Sequence, residues 1–389
     1  MAEFWAYVLG LSLLLYVLLD GFDLGVGILY PFAPDARARD HMMQAISPVW
    51  DGNETWLIVA GATLFGAFPA AYAILVGAFH LPVIVMLCGL ILRGVAFEFR
   101  GRAGERRWLW SASFAAGSYV AAFAQGTAVG AFVQELPVHD GRFVGSQFFW
   151  LTPYALLCGV GLVLGYALLG ASWLVRKTEG DVRAFGYRTL PWIIGGLAAF
   201  LALAGIGVFA LHLRIAAQWF ERPYLFLFLA AGTAAAALLV WSSLRRRDAW
   251  PLPASMAMFC AAFATMVFAV LPYIVPFSVT IPQAAAPEST LRFLFWGAGV
   301  VVLPITLIYT AAVYVIFRGK LRITDGDGSV EGADSRRAHP TDPAGGGGAT
   351  PARSPLGREV TQSAATTTSP VLGLAWLAVA VAVLLGRRP

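Results

Sequence analysis

Charge is scarce in this sequence. Asp, Glu, Lys and Arg make up 13% of its 389 residues, while 59% are hydrophobic. The charged share is roughly half of what soluble domains carry, which excludes an ordinary soluble globular domain. Cysteine is nearly absent too: Cys88, Cys158 and Cys260 each sit in a long apolar run. With no CxxC and no Cys/His spacing, there is no disulfide framework and no zinc site to read. No P-loop, no GxGxxG after a strand, no GxSxG and no HExxH occurs, so the common nucleotide, hydrolase and metalloprotease signatures are missing. The net charge of +5 is thinly spread and reads as loop bias rather than affinity for nucleic acid. The opening "MAEFWAYVLG" lacks a basic region and a small-residue cleavage site, and is read as a retained first helix.

Apolar runs of roughly 20 residues recur instead, the length that crosses a ~30 Å hydrocarbon core. Nine are predicted, over about 4–33, 49–70, 72–99, 109–133, 148–175, 189–213, 223–243, 252–275 and 291–318. The fold class expected is an all-α polytopic membrane protein. Basic residues sort between its two sides. Seventeen Lys and Arg fall in or beside the odd-numbered connections and the end of the ninth run, counting Arg93 and Arg318 near the ends of their runs, whereas in or beside the even ones lie only Arg142, Arg214, Arg222 and Arg292. The positive-inside rule then places the odd connections in the cytoplasm and the N-terminus outside. From 323 to 370 the chain turns rich in Gly, Ser, Thr and Pro and reads as a disordered linker. A short apolar run, 371–386, follows inside the last segment, 371–389, and is a candidate tenth span.

Charged groups at membrane depth are costly, about 2.5–3.5 kcal/mol or more at a helix centre, so they face a protein interior or a wet cavity. Asp20 and Asp23 lie in the first run, Asp51 and Glu54 at the start of the second, and Arg93 and Glu98 near the inner end of the third. The assigned topology puts all five carboxylates in the inner half of the membrane. Asp20/Asp23 and Asp51/Glu54 are i,i+3 pairs that share a helix face. In "SPVWDGNETW" (47–56), Ser47 is the expected N-cap with Pro48 at N1, which sets Asp51 one turn inside. Arg93, five residues from Glu98, is better placed to neutralise a carboxylate on a neighbouring span. His80 and His212, the only histidines in spans, lie towards the outer side and are expected to pack or hydrogen-bond rather than bind metal. Burial favours the neutral form of a carboxyl, which suits these groups to carrying protons. Inner-leaflet carboxylates alone are compatible with a secondary transporter or proton channel, although no inverted repeat is evident.

Three stretches are more specific. "LDGFDLGVG" (19–27), "SPVWDGNETWLIVAG" (47–61) and "LILRGVAFEFR" (90–100) together resemble subunit II of the cytochrome bd-type quinol oxidases, cyanide-insensitive-type members included, over about residues 1–320. The resemblance implies nine helices arranged as two four-helix bundles plus one helix, in a bacterial cytoplasmic membrane. It implies a heterodimer with a subunit I that carries haem b, haem d-type centres and the quinol site, so that this chain ligates no haem. It implies a role in stabilising subunit I and in proton uptake from the cytoplasm during reduction of oxygen to water. By motif match, Asp51 and Trp56 fall on positions lining the proton path or the oxygen route, and Trp50 and Asn53 share that stretch. Glu98 occupies a position where Asp also serves. Asp20, Asp23 and Glu54 join the same pathway set, with Arg93 as charge partner. Some family members hold a structural quinone or a small single-helix subunit, and 371–386 is a candidate for the latter fused in cis. Membrane lipid is the remaining expected partner; nucleic acid is not.

Overall fold

The computed structural model describes residues 1–321, and the expected linker and final apolar segment lie outside them. Thirteen α-helices run in chain order: α1 Ala2–Leu29, α2 Ala36–Ile46, α3 Trp50–Ala67, α4 Pro69–Arg100, α5 Arg107–Val133, α6 Pro153–Lys177, α7 Gly180–Ala210, α8 Arg214–Glu221, α9 Leu225–Leu244, α10 Pro251–Val270, α11 Ile281–Ala284, α12 Glu288–Leu294 and α13 Leu303–Ile316. A π-helical stretch, Phe295–Val302, joins α12 to α13, so the last three elements form one apolar rod, Glu288–Ile316. Two two-residue hairpin ladders, Val138–His139 with Arg142–Phe143 and one around Tyr273–Thr280, lie in the connections that follow α5 and α10.

A helix of at least 18 residues stands at each of the nine expected positions. Seven are long and apolar enough to cross a membrane. The other two, α3 and α5, are too polar by composition. Both turn small and polar side chains inward: α3 buries Asn53 and Thr63, and α5 buries Gly117, Ser118, Gly126 and Thr127. Membrane helices pack through such residues. Apolarity towards lipid is therefore a poor measure of these two helices.

The central element is α1. It packs on α3, α5 and α6, while α4 lies along α5 and the pair α9–α10 reaches α6. The α1–α6 crossing is a backbone contact. A Cβ added at Gly25 would lie 1.8 Å from the Tyr166 carbonyl oxygen, and one at Gly170 2.3 Å from the Gly25 carbonyl carbon. From Leu19 to Leu29 every residue of α1 is buried, so the two aspartates there are enclosed on all sides.

Three expected boundaries move. Ser47 does not cap the second span. It continues the conformation of α2 and its N–H bonds Met43 O, so α3 begins at Trp50 and Asp51 lies in the first turn. Helix α7 starts at Gly180, well before its apolar run, because Val182, Phe185 and Tyr187 are buried on that projecting part. The eighth span ends at Val270, where the chain turns into the Tyr273–Thr280 hairpin.

Candidate functional site

Six helices meet around the α1 aspartates. Arg93, from α4, donates through Nη2 to Asp20 Oδ1 at 2.7 Å and also bonds Glu54 Oε1 on α3. One guanidinium thus bridges carboxylates from two helices, with Arg93 2% and Asp20 0% exposed and the Glu54 side chain 25% exposed. Asp23 is bound differently. Its Oδ2 accepts from Asn53 Nδ2 at 2.7 Å, and the Asn53 carbonyl oxygen accepts from the Tyr314 hydroxyl at 2.9 Å. This second chain of bonds ties α1 and α3 to the final helix.

A polar wire lies beside it. The Tyr166 hydroxyl donates to Gln125 Oε1 at 2.8 Å, and Gln125 Nε2 donates to the Tyr16 hydroxyl at 2.7 Å. Tyr16 stands one turn before Asp20 on α1. Tyr16, Gln125, Tyr166 and Tyr314 are absent from the sequence-based site. A search for charge and histidine passes over tyrosine and glutamine, though Gln125 is an amide in the middle of a small-residue span and was visible as such. Tyr314 carried no signal, being 261 residues from Asn53.

The predicted residues fall into two groups. Asp20, Asp23, Asn53, Glu54 and Arg93 come together in the buried network. Asp51 and Glu98 do not join it: both are exposed, on the outer sides of α3 and α4. Their chain neighbours Trp50 and Phe97 pack ring to ring at 5.1 Å, which places these surface carboxylates on adjoining helices at the same end. The shared face expected for Asp51 and Glu54 therefore splits. Three residues of helix turn through 300°, leaving an offset of about 60°. That suffices to tuck Glu54 beneath Arg93 while Asp51 points out. Trp56 is 1% exposed, and its indole N–H has no acceptor among the described residues. His80 sets Nδ1 against the Gly77 carbonyl, and His212 occupies the exposed turn after α7. Among the described residues, no group of three or more His, Cys, Asp or Glu is arranged to hold a metal ion.

The basic end is braced by ion pairs. Asp40 of α2 receives Arg100 Nη1 at 2.7 Å and Arg107 Nη2 at 2.5 Å. Asp248, in the turn between α9 and α10, accepts from Arg183 through both oxygens, from the Tyr187 hydroxyl and from Lys320. Partial burial pushes the Asp248 carboxyl up, but these donors outweigh it and hold it at about 2.

The model of the family described as cytochrome bd terminal oxidase subunit II matches residues 1–317. A cytochrome bd-I ubiquinol oxidase subunit 2 from Escherichia coli K12 is 28% identical over 361 residues, covering 82% of this chain and 95% of the relative. A probable cytochrome oxidase subunit 2 from Haemophilus influenzae is 30% identical over 347 residues, covering 80% and 89%. Among solved structures, bd oxidase from Geobacillus thermodenitrificans superposes with a TM-score of 0.67 at 15% identity, covering 82% of this chain and 99% of that one. At that identity the superposition speaks for the fold alone.

Proposed function

Because the chain belongs to the cytochrome bd terminal oxidase subunit II family, we propose that it works beside a haem-bearing subunit I in the bacterial cytoplasmic membrane, with its N-terminus outside. In this reading the complex oxidises a quinol and reduces oxygen to water. The haem b and haem d-type centres belong to the partner, as does the quinol site, and they supply the electron chemistry. The histidines within the spans offer no facing pair for a haem: His80 is turned to its own helix backbone and His212 lies in an exposed turn. A structural quinone, bound lipid and a small single-helix subunit remain within the same proposal. Residues 1–322 form the oxidase core, 323–370 a linker and 371–389 an added segment. Unchanged assembly and oxygen consumption after deletion of 330–389 would deny that segment a role as a fused accessory helix.

The contribution of this chain is to handle protons. Water formation consumes them, and a carboxylate at a protein surface collects and passes them on. One observation supports this role: Asp51 and Glu98 stand exposed at the basic end, on adjoining helices whose Trp50 and Phe97, their chain neighbours, are in ring contact. Nothing within the described residues neutralises either group by an ion pair. They therefore act as the entry, and Asn53 and Trp56, further along α3, line the path. The buried group of Asp20, Asp23, Glu54 and Arg93 holds the helices that carry the entry and fixes the field around it.

The assembled complex in proteoliposomes tests the proposal. Asp51→Asn is expected to slow proton uptake per oxygen reduced while the visible haem spectrum persists. Full uptake in that variant would remove Asp51 from the path. Purification of the chain as a colourless species with no larger haem-carrying partner would overturn the assignment to an oxidase complex.

A further inference from the structure

The charges of the buried cluster do not balance. Asp20 and Asp23 of α1, Glu54 of α3 and Arg93 of α4 carry two excess negative charges if all are ionised. Among the described residues, the other polar side chains around them are Tyr16 of α1, Asn53 of α3, Gln125 of α5, Tyr166 of α6 and Tyr314 of α13, and none is cationic. Arg93 turns Nη2 to Asp20 and Glu54, its Nε and Nη1 have no partner among the described residues, and none of its nitrogens bonds Asp23. Asp23 is left with one amide: Asn53 Nδ2 donates to Oδ2, while Oδ1 is fully buried and receives no donor. An ionised carboxylate in that position lacks both a counter-charge and half of its hydrogen bonds, which is the costliest way to bury it.

We propose that Asp23 is a carboxylic acid in the resting protein, with its proton on Oδ1, and that this proton exchanges with the surface by way of Glu54. The assignment removes the uncompensated charge and leaves Oδ2 free to accept from Asn53, while the O–H at Oδ1 has no acceptor among the described residues. Glu54 is the port because it alone of the cluster reaches the outside: its side chain is 25% exposed, against 0% for both aspartates and 2% for Arg93. Arg93 links Glu54 to Asp20, and Asp20 lies one turn from Asp23. Exchange runs through Glu54 in both directions: Glu54 takes a proton from the surface, that proton passes by way of the Asp20 carboxylate, which shares Arg93 Nη2 with Glu54, to Asp23, and the proton displaced from Asp23 returns to the surface along the same carboxylates. One enters and one leaves, so the cluster total is constant. The purpose of this site rests on the proton-handling role proposed above, but its existence does not.

Infrared spectroscopy of the resting, assembled complex reads it directly. The wild type at neutral pH is expected to show the carbonyl band of a buried protonated carboxylic acid, shifting downward in D₂O. Asp23→Asn should abolish that band. Asn53→Ala should keep it but move it, because the donor to Oδ2 is gone, and this variant answers the question if Asp23→Asn does not assemble. Glu54→Gln should retain the band and slow its deuterium exchange about tenfold or more, whereas Asp51→Asn should not slow it. Absence of the band in the wild type, or its survival in Asp23→Asn, overturns the assignment to Asp23. Unchanged exchange in Glu54→Gln overturns the port. A loss of turnover proton uptake in Asp51→Asn with these bands intact would separate the entry path from this buried site.

Discussion

Arg93 Nη2 lies 2.7 Å from Asp20 Oδ1, and both side chains are sealed from solvent. The pair joins α4 to α1 and places a full ion pair within the thickness of the bundle. Removing one partner of such a pair leaves an uncompensated buried charge, which costs about 3–5 kcal/mol. Arg93→Met is therefore expected to abolish accumulation of the assembled oxidase, read as haem absorbance per membrane protein. Combined Arg93→Met and Asp20→Leu should recover part of it, since the pair itself is worth far less than its halves. A double variant no better than the single one would mean that Glu54 and Asp23, still present, dominate the cost.

Gly25 and Gly170 set how closely α1 approaches α6. A Cβ at either position falls on the other backbone, where no side chain can move aside. Gly25→Ala should destabilise by more than the ~1–3 kcal/mol of ordinary overpacking. Thermal loss of the haem spectrum in detergent should come at a clearly lower temperature. Gly10→Ala, whose added Cβ meets nothing within 4 Å, is the control and should leave the midpoint unchanged.

Glu98 offers a test of charge against geometry. If its carboxylate passes protons, Glu98→Asp should keep proton uptake and Glu98→Gln should reduce it. Where a group carries the proton alone the loss reaches about 10²-fold. Stopped-flow uptake with a pH dye in the assembled complex would measure the ratio. Equal behaviour of the two variants would show that shape rather than charge matters there.

Gln125 spans two tyrosine hydroxyls, one on α1 and one on α6. Gln125→Leu strands both, and each unsatisfied buried group costs about 1–3 kcal/mol. The expected result is a lower thermal midpoint, with Gln125→Glu an uneven substitute because it adds a fourth carboxylate to the interior.

Asp248 predicts a pH dependence. Its carboxyl is held at about 2 in the folded protein, below the ~3.9 of an unfolded aspartate. Its stabilising contribution is fully present above about pH 4 and is lost as the pH falls towards 2. The acid limb of the stability profile should therefore flatten in Asp248→Asn, measured as the difference in thermal midpoint between pH 6 and pH 3. An unchanged limb would show that other carboxylates, such as Asp40, carry it.

The sequence determined the nine helices and the membership in an oxidase family. Those depend on composition and period: a run of about 20 apolar residues crosses the bilayer whatever lies beside it, and the basic connections alternate without reference to packing. Motif order carried the family, because the residues from "LDGFDLGVG" to "LILRGVAFEFR" were recognisable one by one. Tertiary structure alone decided which carboxylates share a site. Spacing along a helix says how far a side chain is rotated, not what stands opposite, so Arg93 could be assigned a partner only once α4 and α1 were placed together. The same 60° offset separates Asp20 from Asp23 and Asp51 from Glu54. On α1 both residues are buried because helices enclose it on every side. On α3, one face of which stays open, that offset leaves Glu54 under a guanidinium and Asp51 outside.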